Sequence, residues 1–258
     1  MSSTKKLPVA LAVYSVRDDA SKDFYGTMVK VKEMGYDGVE LAGMYDLSPS
    51  EIRSALDKAG IKAISAHVPI EALISDTEKT INDYVTIGCE YIAIPYLGED
   101  MRHNSPNFDN VIKEIARIGK ACADKGVALL YHNHEFEFEK MADGTYMLDY
   151  LFENVPKEYL QAEHDTCWIS FSGLDPAEYV RKYTGRCPVV HLKDYTGSTR
   201  EDIEFQPVGY GKQNMPEILQ SALDCGAKWV IVEQDSSVAR PPIEAVKISR
   251  DYLASQGW

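Results

Sequence analysis

The chain has 258 residues, 45% hydrophobic and 26% charged, a composition typical of one globular domain with a core large enough to need no staples. Its formal net charge of −13 sets up a field that repels phosphate backbones and argues against a nucleic-acid partner. The five cysteines, at 89, 122, 167, 187 and 225, have no metal-like spacing and point to a reducing, cytoplasmic setting rather than a disulfide framework.

The opening stretch, MSSTKKLPVALAVYSV, carries two lysines and then an apolar run. The run leads into Arg17-Asp18-Asp19 without a small-residue cleavage site, so it reads as a buried first strand rather than a signal peptide. No stretch approaches the ~20 apolar residues of a membrane span. Further strands are expected at Gly38–Leu41, Ala63–Ala66, Tyr91–Pro95, Ala128–Tyr131, Gln161–Glu163, Val189–Leu192 and Trp229–Val232, which with Val9–Val13 makes eight. Between them lie longer amphipathic stretches. Ser48-Pro49-Ser50-Glu51 has the form of a helix start, with an N-cap, an early proline and an acid three residues on. Gly60, Gly88, Gly126 and Gly226 each sit where a helix would end before a strand. The weakest pattern is Tyr195–Asn214, a connection long enough to suggest a functional loop.

This βα rhythm over residues 1–258 predicts an α/β fold, a single (β/α)8 TIM barrel. An open doubly wound sheet would want a glycine-rich turn after the first strand, and Tyr14-Ser15-Val16-Arg17 has none. In a barrel the chemistry lies where strands end. Five of the six histidines fall there, namely His67, His132, His134, His164 and His191, together with Glu40, Glu163, Asp165, Glu233 and Asp235. So many imidazoles and carboxylates at one mouth would be costly to desolvate, and a divalent cation relieves that cost. Alternation along the strands turns Glu40, His67, His132, His134, Glu163, Asp165, His191, Lys193 and Glu233 inward and His164 outward.

Several stretches resemble the sugar phosphate isomerase/epimerase family, whose members have a xylose isomerase-like barrel. They are Tyr14-Ser15-Val16-Arg17, Ser65-Ala66-His67-Val68-Pro69, Tyr131 through Phe138 (YHNHEFEF), Asp165-Thr166-Cys167-Trp168, His191-Leu192-Lys193-Asp194, Val208-Gly209-Tyr210-Gly211 and Val232-Glu233-Gln234-Asp235. The resemblance implies one divalent metal ion, commonly manganese, although zinc, cobalt, iron or magnesium suits the same donors. It also implies Asp165, His191 and Glu233 as ligands. The fourth ligand of the family, a glutamate on the fifth strand, falls on His132 here. Three residues could complete the shell: His132 itself, Glu137 or Glu163.

A cation that grips a carbonyl and an adjacent hydroxyl acidifies the C–H between them, the first step toward an enediolate. The leading expectation is therefore a sugar isomerase or epimerase acting on a free sugar or keto-sugar. The alternative is a lyase or dehydratase on a keto-sugar, keto-inositol or keto-glycoside, because the resemblance implies two glutamate ligands that double as acid and base, and His132 stands where one of them is expected. Glu233, His132, Glu137 and Lys193 are the candidate catalytic residues, with a structural ion pair to Asp194 or a barrel carboxylate as the other reading of Lys193. Arg17, Glu40, His67, His134 and Trp168 are the candidate substrate contacts, and an Arg17–Glu40 pair is the alternative for those two. The expected partner is a small sugar, with no nucleic acid and no membrane. Barrels of this kind often pair, which allows a homo-oligomer.

Overall fold

The computed structural model describes residues 6–258; the first five residues of the opening stretch lie outside it. Among the described residues there are ten strands, eight of them parallel and arranged around one axis. In chain order these eight are β1 (Val9–Ala12), β2 (Gly38–Leu41), β3 (Lys62–Ala66), β4 (Tyr91–Ile94), β5 (Ala128–His132), β6 (Gln161–Asp165), β7 (Val189–Leu192) and β10 (Trp229–Val232). All eight expected strands are present, with ends shifted by up to two residues. The ladder runs β3-β2-β1-β10-β7-β6-β5-β4. A short seam joins β3 to β4 through the His67–Ala93 bridge and the Val68 N–H donated to the Ala93 carbonyl at 2.9 Å. The result is a nearly closed barrel.

Two apolar layers hold it. Inside, Ala10, Ala12, Ile64, Ala93, Leu130, Val189, Trp229 and Ile231 fill the barrel. Outside, residues of the opposite strand parity, such as Leu11, Val39, Ile92, Leu129, Val190 and Val232, pack against the helices. This period-two division is what pleated strands impose. The helices begin and end as the sequence indicates. Ser48 and Glu51 form a reciprocal capping box at the start of Pro49–Ala59, and Gly60 closes that helix at φ 70°. Gly88 closes Thr77–Ile87 at φ 100°.

The connection expected as a long open loop is organised. Asp194–Thr196 (β8) pairs antiparallel with Glu204–Gln206 (β9). Its anchor is Asp194, whose carboxylate accepts N–H groups from Tyr195 (2.9 Å), Gly209 (3.0 Å), Gly211 (2.9 Å) and Gln213 (3.3 Å). A Cβ on Gly211 would run into that carboxylate, so only glycine admits it. Asp194 is thus committed to the loop and is not the partner of Lys193.

His164, on the outward face of β6, packs edge-on against Tyr183, Tyr179 and Phe152. Burial pushes its pKa down to about 3, so it is a neutral core residue. The tyrosines are fixed in turn by Asp149, which accepts their hydroxyls at 2.7 and 2.6 Å. Burial would raise the Asp149 pKa, but hydrogen bonds from Lys182, Tyr183 and Tyr179 outweigh it and hold the carboxyl below its ordinary value. A depressed acid stabilises the fold above its unfolded pKa and loses that contribution as pH falls through the folded one. Asp149→Asn should therefore destabilise by about 1–3 kcal/mol near neutrality. The gap to the parent protein should narrow as pH drops below about 4; urea unfolding at several pH values measures it.

Candidate functional site

Strand register brings the polar residues together. His132 lies beside Glu163 across β5 and β6, and Asp165 lies beside His191 across β6 and β7. Asn133 clips the first of these junctions, accepting the Asp165 N–H at 3.0 Å and donating to the Asp165 carbonyl at 3.2 Å. Above the apolar interior the barrel therefore carries a buried ionic layer of Glu40, His132, Glu163, Asp165, His191, Lys193 and Glu233, with His67 at its edge.

The deeper part centres on two carboxylates. Glu163 Oε1 lies 2.7 Å from His67 Nε2, 3.1 Å from His132 Nδ1 and 3.2 Å from His191 Nε2. Glu40 Oε1 lies 3.1 Å from His67 Nε2 and 3.0 Å from His191 Nε2. The upper part centres on Lys193, whose Nζ is 2.9 Å from Asp165 Oδ2, 2.9 Å from Glu233 Oε2 and 3.0 Å from Asp235 Oδ1. His191 spans both, with its Nδ1 3.0 Å from Glu233 Oε2.

The charges follow from this packing. Burial opposes protonation of Lys193, but Asp165, Asp235 and Glu233 outweigh it and hold the ammonium well above its ordinary range. Burial likewise opposes ionisation of Glu233, yet Lys193 and His191 keep it well below the carboxylate range. His67 is raised to about 9, because Glu40 and Glu163 overcome its desolvation. His132 is pushed down to about 3, chiefly by burial, and stays neutral. Burial depresses His134 as well.

Two overlapping groups offer converging donor atoms, each set lying within 4.8 Å of one another: His132, Asp165, His191 and Glu233, and, deeper, His67, His132, Glu163 and His191. The first coincides with the ligand set expected from the sequence. A divalent ion fits it on chemical grounds. Asp165 Oδ2 and His191 Nε2 are buried, and their nearest polar neighbours are charged side chains: the Lys193 ammonium at 2.9 Å from Oδ2, and the Glu40 and Glu163 carboxylates at 3.0 and 3.2 Å from Nε2. Moreover, Asp165 divides its carboxylate, since Oδ1 caps the helix Thr166–Phe171 by accepting the Cys167 N–H at 2.8 Å. That leaves Oδ2 for a cation, the place the Lys193 ammonium occupies at 2.9 Å. His132 appears in both groups, Glu163 only in the deeper one and Glu137 in neither.

Four expectations differ from what the structure places. Glu137 is buried, accepting the Tyr131 hydroxyl at 2.8 Å and the His134 N–H at 2.7 Å, so it shapes the β5 end from behind. Glu40 does not line the cavity and makes no pair with Arg17; it lies beneath His67 and His191. Arg17 bonds the carbonyls of Tyr14 (2.7 Å) and Asp235 (3.1 Å) and borders a neighbouring hollow with Asp18 and Asp46. Trp168 is buried, its ring 5.5 Å from that of His134, and it backs the site rather than facing it. By contrast His67, His132, His134, Lys193 and Glu233 do line the main cavity, of about 480 Å³. So does Asp235, which the sequence places at the strand ends without a candidate role and which follows Glu233 by two residues, on the same side of the chain.

The family model of the xylose isomerase-like TIM barrel matches residues 28–256, and the chain belongs to that family. Among its relatives is an inosose dehydratase of Geobacillus kaustophilus, 23% identical over 265 residues that cover 87% of this chain and 84% of the relative. Among solved structures, a sugar phosphate isomerase/epimerase from Parabacteroides distasonis superposes with a TM-score of 0.83 at 20% identity, covering 98% of this chain and 95% of the other. An IOLI protein with a bound zinc atom gives 0.74 at 13% identity, covering 96% and 97%. No helix among the described residues is long and apolar enough to cross a membrane.

The ligand set makes a direct prediction. Asp165→Ala and His191→Ala should each lose stoichiometric metal by elemental analysis after purification. Glu137→Gln, which alters only the support behind His134, should retain it, with affinity weakened by no more than ~10–100-fold.

Proposed function

We propose that the protein is a divalent-metal-dependent lyase that eliminates across a C–C bond beside the ketone of a cyclic polyol. The observation that carries this reading is the contact of Lys193 Nζ with Glu233 Oε2 at 2.9 Å on the cavity wall. It sets a protonated ammonium beside an ionised carboxylate. Proton transfer on both faces of a sugar calls for two matched groups that exchange roles. An elimination instead needs one base for the C–H proton and one acid for the departing oxygen. The unlike pair suits the second demand. The relatives named inosose dehydratase support the same class.

His132, Asp165, His191 and Glu233 would hold the metal. When bound, a divalent ion there would polarise a carbonyl and an adjacent hydroxyl and so lower the cost of ionising the C–H bond between them. The donor set suits zinc or manganese alike, and the zinc of the IOLI structure favours zinc as the first ion to try. Glu233 is the carboxylate at hand to take the C–H proton. Lys193 donates a proton to the leaving oxygen, and Asp165 and Asp235 hold its ammonium in place. His67 and His134 face the cavity and orient the ring through its hydroxyls. Glu163 fixes the imidazoles of His67 and His132.

Incubation of metal-loaded protein with a keto-inositol in D2O tests the reading. The expected product is a dehydrated, unsaturated ketone. Recovery of an intact ketone carrying deuterium, with its hydroxyls retained or inverted, would instead assign an isomerase or epimerase. Lys193→Met should lower kcat by about 10²–10⁴ while the protein keeps its metal.

A further inference from the structure

The end of the barrel where the strands begin holds a second hollow, of about 180 Å³. Gln161 at the start of β6, Cys187 and Pro188 before β7, and Cys225 and Lys228 before β10 are among its lining residues. The ionic layer lies at the other ends of these same strands, so the proposed elimination leaves this hollow without a role.

The backbone brings the two cysteines together. The Gly185 N–H donates to the Cys225 carbonyl at 3.0 Å, and the Lys228 N–H donates to the Pro188 carbonyl at 2.7 Å. Cys187 and Cys225, 38 residues apart in the chain, therefore meet where the approaches to β7 and β10 run side by side. The Cys225 sulfur lies 3.7 Å from the Cys187 carbonyl oxygen and 3.4 Å from that of Ala222. The Cys187 thiol reaches the Val189 carbonyl at 3.2 Å and is also within hydrogen-bond reach of the Cys225 sulfur.

The five thiols of the chain are not alike. Burial pushes Cys89 and Cys122 up to about 12, and it raises Cys167 and Cys187 well above the usual thiol range. Cys225 is held below its ordinary value, chiefly because the Cys187 thiol hydrogen-bonds to its sulfur. The thiolate is the form that attacks an oxidant, so the contact between the two sulfurs selects Cys225 as the attacking one. Lys228 adds a positive charge to the wall of the same hollow.

We propose that Cys187 and Cys225 are a peroxide-reactive dithiol that closes reversibly to a disulfide. The Cys225 thiolate attacks one oxygen of hydrogen peroxide and the O–O bond breaks. Cys225 becomes a sulfenic acid, and the departing hydroxide takes up the proton the thiol gave up, leaving as water. The Cys187 sulfur then attacks the Cys225 sulfur, the S–O bond breaks and a second water departs with the Cys187 proton. The thiol pair loses two electrons and the peroxide gains them, so the step balances. A dithiol reductant reverses it by exchange. Transient bonds of this kind are the form that disulfides take in reducing compartments. The hollow is well below the ~300–1,000 Å³ of clefts that hold drug-sized ligands, which favours a small oxidant over a peptide disulfide. Once formed, the bond would join the segments that lead into β7 and β10, the strands that bring His191 and Glu233 to the site.

The test treats reduced full-length protein with hydrogen peroxide and reads the thiols, with activity playing no part. Two of the five thiols should disappear, a Cys187–Cys225 linked peptide should be found by mass spectrometry after non-reducing digestion, and dithiothreitol should restore both. Cys187→Ser should stop at a sulfenic acid on Cys225, trapped by dimedone, whereas Cys225→Ser should leave Cys187 as a thiol. Should either variant fail to fold, the parent protein answers through alkylation rates: iodoacetamide should modify Cys225 about tenfold or more faster than Cys89, Cys122 or Cys167. Absence of the linked peptide, equal behaviour of the two serine variants, or equal alkylation of the buried thiols would each overturn the proposal.

Discussion

Five buried or nearly buried carboxylates at one end of the barrel are the constraint around which the rest of the site is organised. Glu40, Glu163, Asp165, Glu233 and Asp235 lie within one layer, and among them only one lysine, Lys193, makes ion pairs. Five carboxylates against one ammonium leave four negative charges to be met by imidazoles or by a bound cation. Burying a charge without a partner is far costlier than burying a pair. The structure therefore divides the task. Glu40 and Glu163 lie against the imidazoles of His67 and His191, and Asp165, Glu233 and Asp235 surround Lys193. His191 touches both halves, which makes it the hinge of the electrostatics as well as a ligand candidate.

The scaffold explains why this layer can exist. Period-two alternation lets one strand serve two cores: on β6, Glu163 and Asp165 enter the barrel while His164 enters the helix layer. Strand register then decides which residues are neighbours. The apolar interior beneath the ionic layer excludes water from below, so the ion pairs act in a low-dielectric setting on that side and meet solvent only through the mouth. Asp194 contributes from outside: by collecting four backbone N–H groups it folds the β7–β10 connection into a compact unit beside the mouth.

Much of this was legible in the sequence because the signals are local. Eight apolar runs, the Ser48–Glu51 box and the glycines before strands depend on neighbours in the chain, and so does the inward or outward parity of each strand residue. Hence the inward set that includes His132, Asp165, His191 and Glu233 follows from parity, whereas their grouping as ligands is what the family resemblance implies. What could not be read was the depth of each side chain along the barrel axis. Glu40 and His67 both end strands and both point inward, yet Glu40 is beneath the floor and His67 on it. Glu137 likewise follows β5 by only a few residues, but a single 3-10 turn at Phe136–Phe138 sends it behind the strand to Tyr131. Arg17 and Trp168 lie elsewhere than expected for a related reason: a residue just past a strand can join the wall, the rim or the backing of a mouth, and tertiary packing decides which.

His132, at the position where the family resemblance implies a glutamate, is where sequence and structure meet most sharply. A carboxylate at that position would add a sixth negative charge to a layer already short of cations. It would also lose the Nδ1 contact by which His132 helps to hold Glu163. A neutral imidazole keeps two nitrogens available, one toward Glu163 at 3.1 Å and one toward Asp165 at 3.6 Å, without adding charge. Charge economy in the buried layer therefore favours a neutral imidazole here, one that connects Glu163 and Asp165 while the Lys193 ammonium meets Asp165, Glu233 and Asp235.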